Sequence, residues 1–300
     1  MRAPVLSILI PAYEYSFGVR RILDSVAESL ELDPQLKIEC IISDDSETGE
    51  VEEMVAGHVL YNYKCFRYVK REKSLGAIAN WNFLLSEATG EYIHFMHHDE
   101  FPCDSNFFGV LVSELEANVL SDVLFLRCYV PTFIKNRFRP LVGSVVRSLY
   151  FLSPEGLFLR NTVGSPTSAV IRRKKCLLFD LRLQWIVDLE WYYRILNKNT
   201  SGVSFSDLKY ISVFRNESIS SKISSEVKAI DRHERQLIKK DYSALFLDRY
   251  EDSLTMRYKI FLYLESIFWL SCKVIHYPFG IMLGTTVNSD LIGTEYDDRK

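Results

Sequence analysis

The chain has no excess of positive charge: 36 Lys and Arg stand against 39 Asp and Glu, a formal net charge of -3. Without a basic field over the whole molecule, a grip on phosphates must come from local groups, and nucleic acid is not an expected partner. Its six cysteines, Cys40, Cys65, Cys103, Cys128, Cys176 and Cys272, include no C-x-x-C pair and no zinc-ligand spacing. They read as reduced, mostly buried thiols, a cytoplasmic trait. Long apolar runs are scarce as well. The opening VLSILI (5–10) passes straight into PAYE, so it lacks the length and cleavage region of a secretory signal and reads as a strand. Between residues 257 and 287 Phe, Leu, Ile, Tyr and Trp are abundant, but Lys259, Glu265 and Lys273, then Pro278 and Gly280, interrupt them. The run breaks before it reaches the roughly 18 clean apolar residues of a spanning helix. Lys259, Ser266 and Lys273 fall seven apart, which suits either a helix packed on the rest of the protein or one lying in a membrane interface. Internal repeats and low-complexity segments are absent from the sequence.

What remains is an ordinary globular composition, 48% hydrophobic and 25% charged over 300 residues, long enough to bury a substantial core. From residue 5 to about 126, short β-branched runs alternate with segments of helical period. The strands are VLSILI (5–10), KIECIIS (37–43), CFRYVK (65–70), EYIHFM (91–96) and DVLFL (122–126). Helices are expected over Val19 to Leu30, Gly49 to Gly57, Gly76 to Ala88 and Asn106 to Asn118. This is the order of βαβ units on a mostly parallel, Rossmann-like sheet flanked by helices. Residues 127–163, rich in Arg, Pro and aromatics, read as loops. A strand TSAVIRR (167–173), a helix from Ile186 to Lys198 and strand-like segments from Val203 to Arg215 follow, and the chain from Glu226 onward reads as helical.

Ligands of such sheets bind beyond the carboxyl ends of the strands. The residues at those ends are Pro11 to Glu14, Asp44 and Asp45, Arg71 to Lys73, and His97 to Glu100. Two adjacent carboxylates, Asp44 and Asp45, need donors or a cation if buried. They serve either to read a nucleoside or to cap the turn that begins at Ser46. In MHHDEF, Asp99 stands where a diphosphate would lie and where one carboxylate can share a divalent cation with phosphate oxygens; a solvated turn before Pro102 is the plainer reading. His97 and His98 are adjacent on a strand and point to opposite faces, so at most one can serve a given ion.

Together these segments resemble the inverting family 2 glycosyltransferases of the GT-A fold. The resemblance runs through SILIPAYE (7–14), ISDDSETGE (42–50), LGAIANWNFLLSEATGEYIHFMHHDEF (75–101), GSPTSAVIRR (164–173) and VDLEWYYRI (187–195), in the family's order. It implies transfer of one sugar, with inversion, from a nucleotide-diphosphate sugar to an acceptor hydroxyl. By the same resemblance Pro11, Tyr13, Glu14, Asp44 and Asp45 belong to the nucleoside site, and Asn80, in A-x-N, stands where the family usually has Arg. His98 stands where a first acid is common, Asp99 holds Mg²⁺ or Mn²⁺ beside the diphosphate, and Glu100 follows where a second Asp is frequent. Asp188 falls on the family's catalytic base, with Val187 in place of a preceding acid; read alone, an N-terminal Asp stabilised by the helix dipole is the plainer reading. Arg215, in FRNESIS, stands in the late loop where some members contact the diphosphate.

On the same helix, Glu190 and Arg194 are expected as an i,i+4 pair on a solvated face. Trp191 and Tyr192 suit either core or sugar stacking, with core expected for at least one. The implied organisation is a nucleotide-sugar-binding half (1–126), an acceptor-binding and catalytic half of the same domain (127–220), and a helical C-terminal extension (221–300), membrane-associated if 257–287 lies in an interface. The implied acceptor is a glycan or lipid-linked glycan of a bacterial surface polysaccharide, met in the cytoplasm or at the inner face of its membrane. Two other functions stay open. A sugar nucleotidyltransferase usually has a Gly-rich basic loop after the first strand, and PAYEYSFGVRR offers only Gly18. A catalytically silent nucleotide-sugar-binding protein is favoured by the changes at Asn80, His98 and Val187.

Overall fold

A computed structural model describes residues 3–118, 120–129, 154–158, 161, 163–197, 202–213 and 226–242. Arg215 and the apolar 257–287 stretch lie outside the described residues.

The chain enters on β1 (Leu6–Ala12), crosses through α1 (Ser16–Leu32) to β2 (Ile38–Asp44), and through α2 (Glu50–Ala56) to β3 (Phe66–Lys70). Helix α3 (Ala77–Glu87) leads to β4 (Tyr92–Phe95), a short β5 (Glu100–Pro102) and α4 (Phe107–Ala117). Then follow β6 (Val123–Tyr129), β7 (Ala169–Arg172), α5 (Val187–Asn197), β8 (Val203–Ser212) and α6 (Val227–Asp241). All eight strands share one sheet in the order β3-β2-β1-β4-β7-β6-β8-β5. Strands β1 to β4 pair in parallel, as the alternation of strand and helix requires. Strand β7 runs antiparallel to both its neighbours, and β5 antiparallel to β8.

Period-two alternation divides the core between the faces. Leu6, Ile8, Ile10 and Ala12 of β1 pack with α1, α2 and α4, whereas Leu9, Ile41, Ile93 and Phe95 pack with α3 and α5. Helix α1 fits its face because Val19, Ile22, Leu23, Val26, Ala27 and Leu30 recur at helical spacing and are all buried. Trp191 and Tyr192 of α5 are both core residues, 1% and 0% exposed.

The Glu190–Arg194 pair forms at 2.5 Å, but Glu190 is buried rather than solvated. Tyr242 and the Nε and Nη2 of Arg194 supply the donors that make its burial tolerable. Strand β6 also continues through Tyr129, into the start of the stretch expected to be loop. No described helix is long and apolar enough to cross a membrane.

Candidate active site

At the carboxyl ends of β1, β2 and β4 lies a cleft of about 1170 Å³, closed on its far side by the start of α5 and by α6. Pro11, Tyr13, Glu14, Asp45, Asn80, His98, Asp99 and Asp188 all line it. Asp44 does not: its side chain is fully buried, with Tyr68 donating at 2.7 Å, Lys70 at 3.0 Å and the Ser46 amide at 2.9 Å. This corrects its assignment to the nucleoside site. Of the two readings of the acid pair, Asp44 takes the turn-capping one, because the strand end aims adjacent side chains to opposite faces. Lys70 also reaches the carbonyls of Ser46 and Thr48, so the 45–48 turn is fixed from below.

Asp45 faces the cleft, and its carboxylate receives Ser74 Oγ at 2.8 Å and the amides of Leu75 and Gly76 at 2.7 and 2.9 Å. It therefore caps the entry to α3 from a distance, where Gly76 takes φ 78, a conformation that favours glycine. A carboxylate offers about four acceptor positions, so one remains for a ligand. Glu14, at φ 49, turns its carboxylate onto the amides of Glu47 and Thr48 and the Thr48 hydroxyl. Asn80 donates to the Ser43 carbonyl at 3.0 Å, while its buried Oδ1 has no partner among the described residues. A buried acceptor without a donor is costly, and this one borders the cleft.

The 97–100 turn is hung from three elements. The His97 amide reaches Thr167 Oγ1, His98 Nδ1 faces the Pro11 carbonyl at 3.1 Å, and the Val213 amide donates to the Asp99 carbonyl. One donor atom each from His97, Asp99 and Glu100 lies within 4.8 Å of the others. The imidazole of His97 stacks on Trp81 at 4.8 Å between centroids, and its buried Nε2 has no described partner. Burial pushes His97 down to about 4, so it is neutral, the form that ligates metals. Burial, with the charge of Asp99 added, pushes Glu100 up to about 7, and Ser165 Oγ donates to both its oxygens. Two carboxylates and a neutral imidazole fit a divalent cation. The set includes His97 and Glu100 beside the expected Asp99; His98 is turned away to Pro11.

Asp188 sits in the first turn of α5, where Leu189 N donates to Oδ1 and Asn161 Nδ2 to Oδ2, both at 2.9 Å. Asn161 is itself locked, since its Oδ1 accepts from the amides of Val163 and Gly164. Burial outweighs these hydrogen bonds and pushes Asp188 up to about 6. It is thus ionised at neutral pH yet a stronger base than an exposed aspartate. The motifs did not single out Asn161; N-T-V-G, an Asx-turn pattern, is the signal that marks it.

The sequence pattern described as glycosyl transferase family 2 matches residues 7–177, more than half of the chain. An uncharacterized protein of Mycobacterium tuberculosis, Rv1520, is 26% identical over 193 residues, 63% of this chain and 53% of that protein. Another of Mycobacterium bovis, Mb1547, matches equally, so the chain spans about half the length of the curated relatives it matches. Among solved structures, S. aureus TarS 1-349 in complex with UDP-GlcNAc is similar with a TM-score of 0.54 at 14% identity, over 84% of this chain and 75% of that one. The mannosyltransferase PcManGT of Pyrobaculum calidifontis, in complex with GDP-Man and Mn2+, gives a TM-score of 0.56 at 15% identity, over 78% and 65%. At such identities the likeness is one of fold, and the fold is that of GT-A glycosyltransferases.

Proposed function

The chain belongs to glycosyl transferase family 2, and from that premise we propose that it transfers one sugar, with inversion, from a nucleoside-diphosphate sugar to an acceptor hydroxyl. The observation that supports this most is the meeting of Asp45, Asp99 and Asp188, from β2, the β4–β5 turn and α5, in one cleft. The nucleoside lies by Pro11, Tyr13 and the remaining acceptor positions of Asp45 and Asn80. A Mg²⁺ or Mn²⁺ held by His97, Asp99 and Glu100 would supply positive charge to the departing diphosphate. Asp188 takes the proton of the acceptor hydroxyl, and Asn161 holds one of its oxygens so that the carboxylate keeps a fixed aim. The buried site keeps that carboxylate basic enough to accept the proton.

The two solved relatives were captured with UDP-GlcNAc and GDP-Man, which makes those two donors the first to try. The acceptor class we favour is a glycan or lipid-linked glycan of a bacterial surface polysaccharide, reached from the cytoplasmic side. In the test, purified Asp188→Asn is compared with wild type for nucleoside-diphosphate release from each sugar nucleotide, with and without Mn²⁺. Turnover should fall by about 10²–10⁴-fold, the usual contribution of a general base, while calorimetric affinity for the donor stays within error. Wild-type turnover in the variant would remove Asp188 from the mechanism.

A further inference from the structure

We propose that Glu234 is a positioning residue for the transfer: from α6, its carboxylate anchors the 184–186 segment and thereby fixes where Asp188 stands in the cleft. The inference rests on the reading of Asp188 as the base. Glu234 is 2% exposed, and no cation pairs with it among the described residues. Such a carboxylate must find donors. It finds three consecutive ones, the amides of Gln184 at 2.6 Å, Trp185 at 3.1 Å and Ile186 at 3.0 Å.

Those amides precede the first turn of α5, whose opening backbone bond is Glu190 N to the Ile186 carbonyl. A helix usually caps this end with a Ser, Thr, Asp or Asn of its own. Gln184, Trp185 and Ile186 are none of these; Asp188 takes the Leu189 amide inside the helix, and the three amides ahead of it are held by a carboxylate from 48 to 50 residues further along the chain. Asp188 follows two residues after the last anchored amide, and Gln184, Trp185 and Ile186 line the same cleft wall. Helix α6 is held there by other contacts as well: Arg235 to the Phe158 carbonyl at 2.7 Å, Arg182 to Asp241 at 2.5 Å, and the buried Ile238. A change confined to Glu234 therefore frees the segment without releasing the helix. The residues that match the family pattern end at 177, before both α6 and the 184–188 segment that it holds.

The experiment uses the full chain as wild type, Glu234→Ala, Glu234→Gln and Ile238→Ala, the last loosening α6 without touching the carboxylate. Backbone amide exchange should quicken at least tenfold at 184–186 in Glu234→Ala and less in Glu234→Gln, which keeps one acceptor oxygen. The Asp188 carboxyl, identified in ¹³C NMR by its loss in Asp188→Asn, should titrate lower in Glu234→Ala as water reaches it. With UDP-GlcNAc or GDP-Man, whichever turns over, kcat should fall while KM for the donor holds. Unchanged exchange at 184–186 and an unmoved Asp188 titration would overturn the proposal, as would identical changes in Ile238→Ala. A wild type that turns over no sugar nucleotide would refute the transferase reading, while exchange and titration would still decide the hold of Glu234.

Discussion

At the residue scale, Asp188 is kept in a state that costs the fold something. Its carboxyl is raised from 3.8 to about 6, chiefly by burial, so the folded protein holds this proton more tightly than the unfolded chain. Between those two values rising pH therefore removes stability, and above them the full penalty applies, an upper bound of about 3 kcal/mol. Asp188→Asn should accordingly raise the melting temperature at pH 7 and lose that advantage below about pH 4; a variant less stable than wild type at pH 7 would contradict this. If Asp188 is the base as proposed, turnover should in turn fall as the pH drops through about 6, where its carboxylate becomes protonated.

The same scale shows the reach of the sequence. Asp45, Asp99 and Asp188 were legible because each sits in a motif at a strand or helix end. Asp44 was not separable from Asp45, since only the positions of Tyr68 and Lys70 tell which carboxylate is turned inward. His97 was likewise not separable from His98 until the stack on Trp81 and the Pro11 carbonyl divided them. The turn pattern at Asn161 marks that residue but not its partner Asp188, and no local pattern announces Glu234, which acts from 48 residues or more along the chain.

At the scale of elements, the periodicities give β1 to β4 and α1 to α5 within a few residues at most ends, because most of them, β1, β2, β4, α1, α4 and α5 above all, bury regular apolar positions. Strand β5 escaped, being three residues long and joined to the sheet by its pairing with β8. Helix α1 shows how closely the elements around the cleft are set. A Cβ on Gly18 would lie 1.7 Å from the carbonyl oxygen of His98, so α1 and the 97–100 turn approach as near as glycine allows. Gly18→Ala must push them apart. We expect a stability loss of about 1–3 kcal/mol, the usual cost of overpacking, together with weaker Mn²⁺-dependent nucleotide binding. Calorimetry and urea unfolding check both, and an alanine variant with wild-type stability and binding would count against this packing.

For the whole molecule, the sheet is tied together on the side away from the cleft. Arg172, on β7, donates to Asp122 at 3.1 Å and pairs with Glu91 and Tyr92 at the start of β4. Removing it takes the guanidinium partner from Asp122, which is 2% exposed and lies 3.5 Å from Lys175. Arg172→Leu should destabilise the fold by about 3–5 kcal/mol, as breaking a buried pair does, and donor affinity measured well below the melting temperature should be unchanged. A selective loss of binding would mean that this network reaches the site.

The proposed transfer needs the 97–100 turn, a cation and a nucleoside diphosphate to act together in one cleft. Isothermal titration of the wild-type chain and Asp99→Ala with UDP-GlcNAc and GDP-Man, each with and without Mn²⁺, addresses that directly. Binding of at least one donor by the wild type, strengthened by Mn²⁺ and lost or made metal-independent in Asp99→Ala, is the predicted result. Equal affinity in both proteins, with or without the metal, would contradict it.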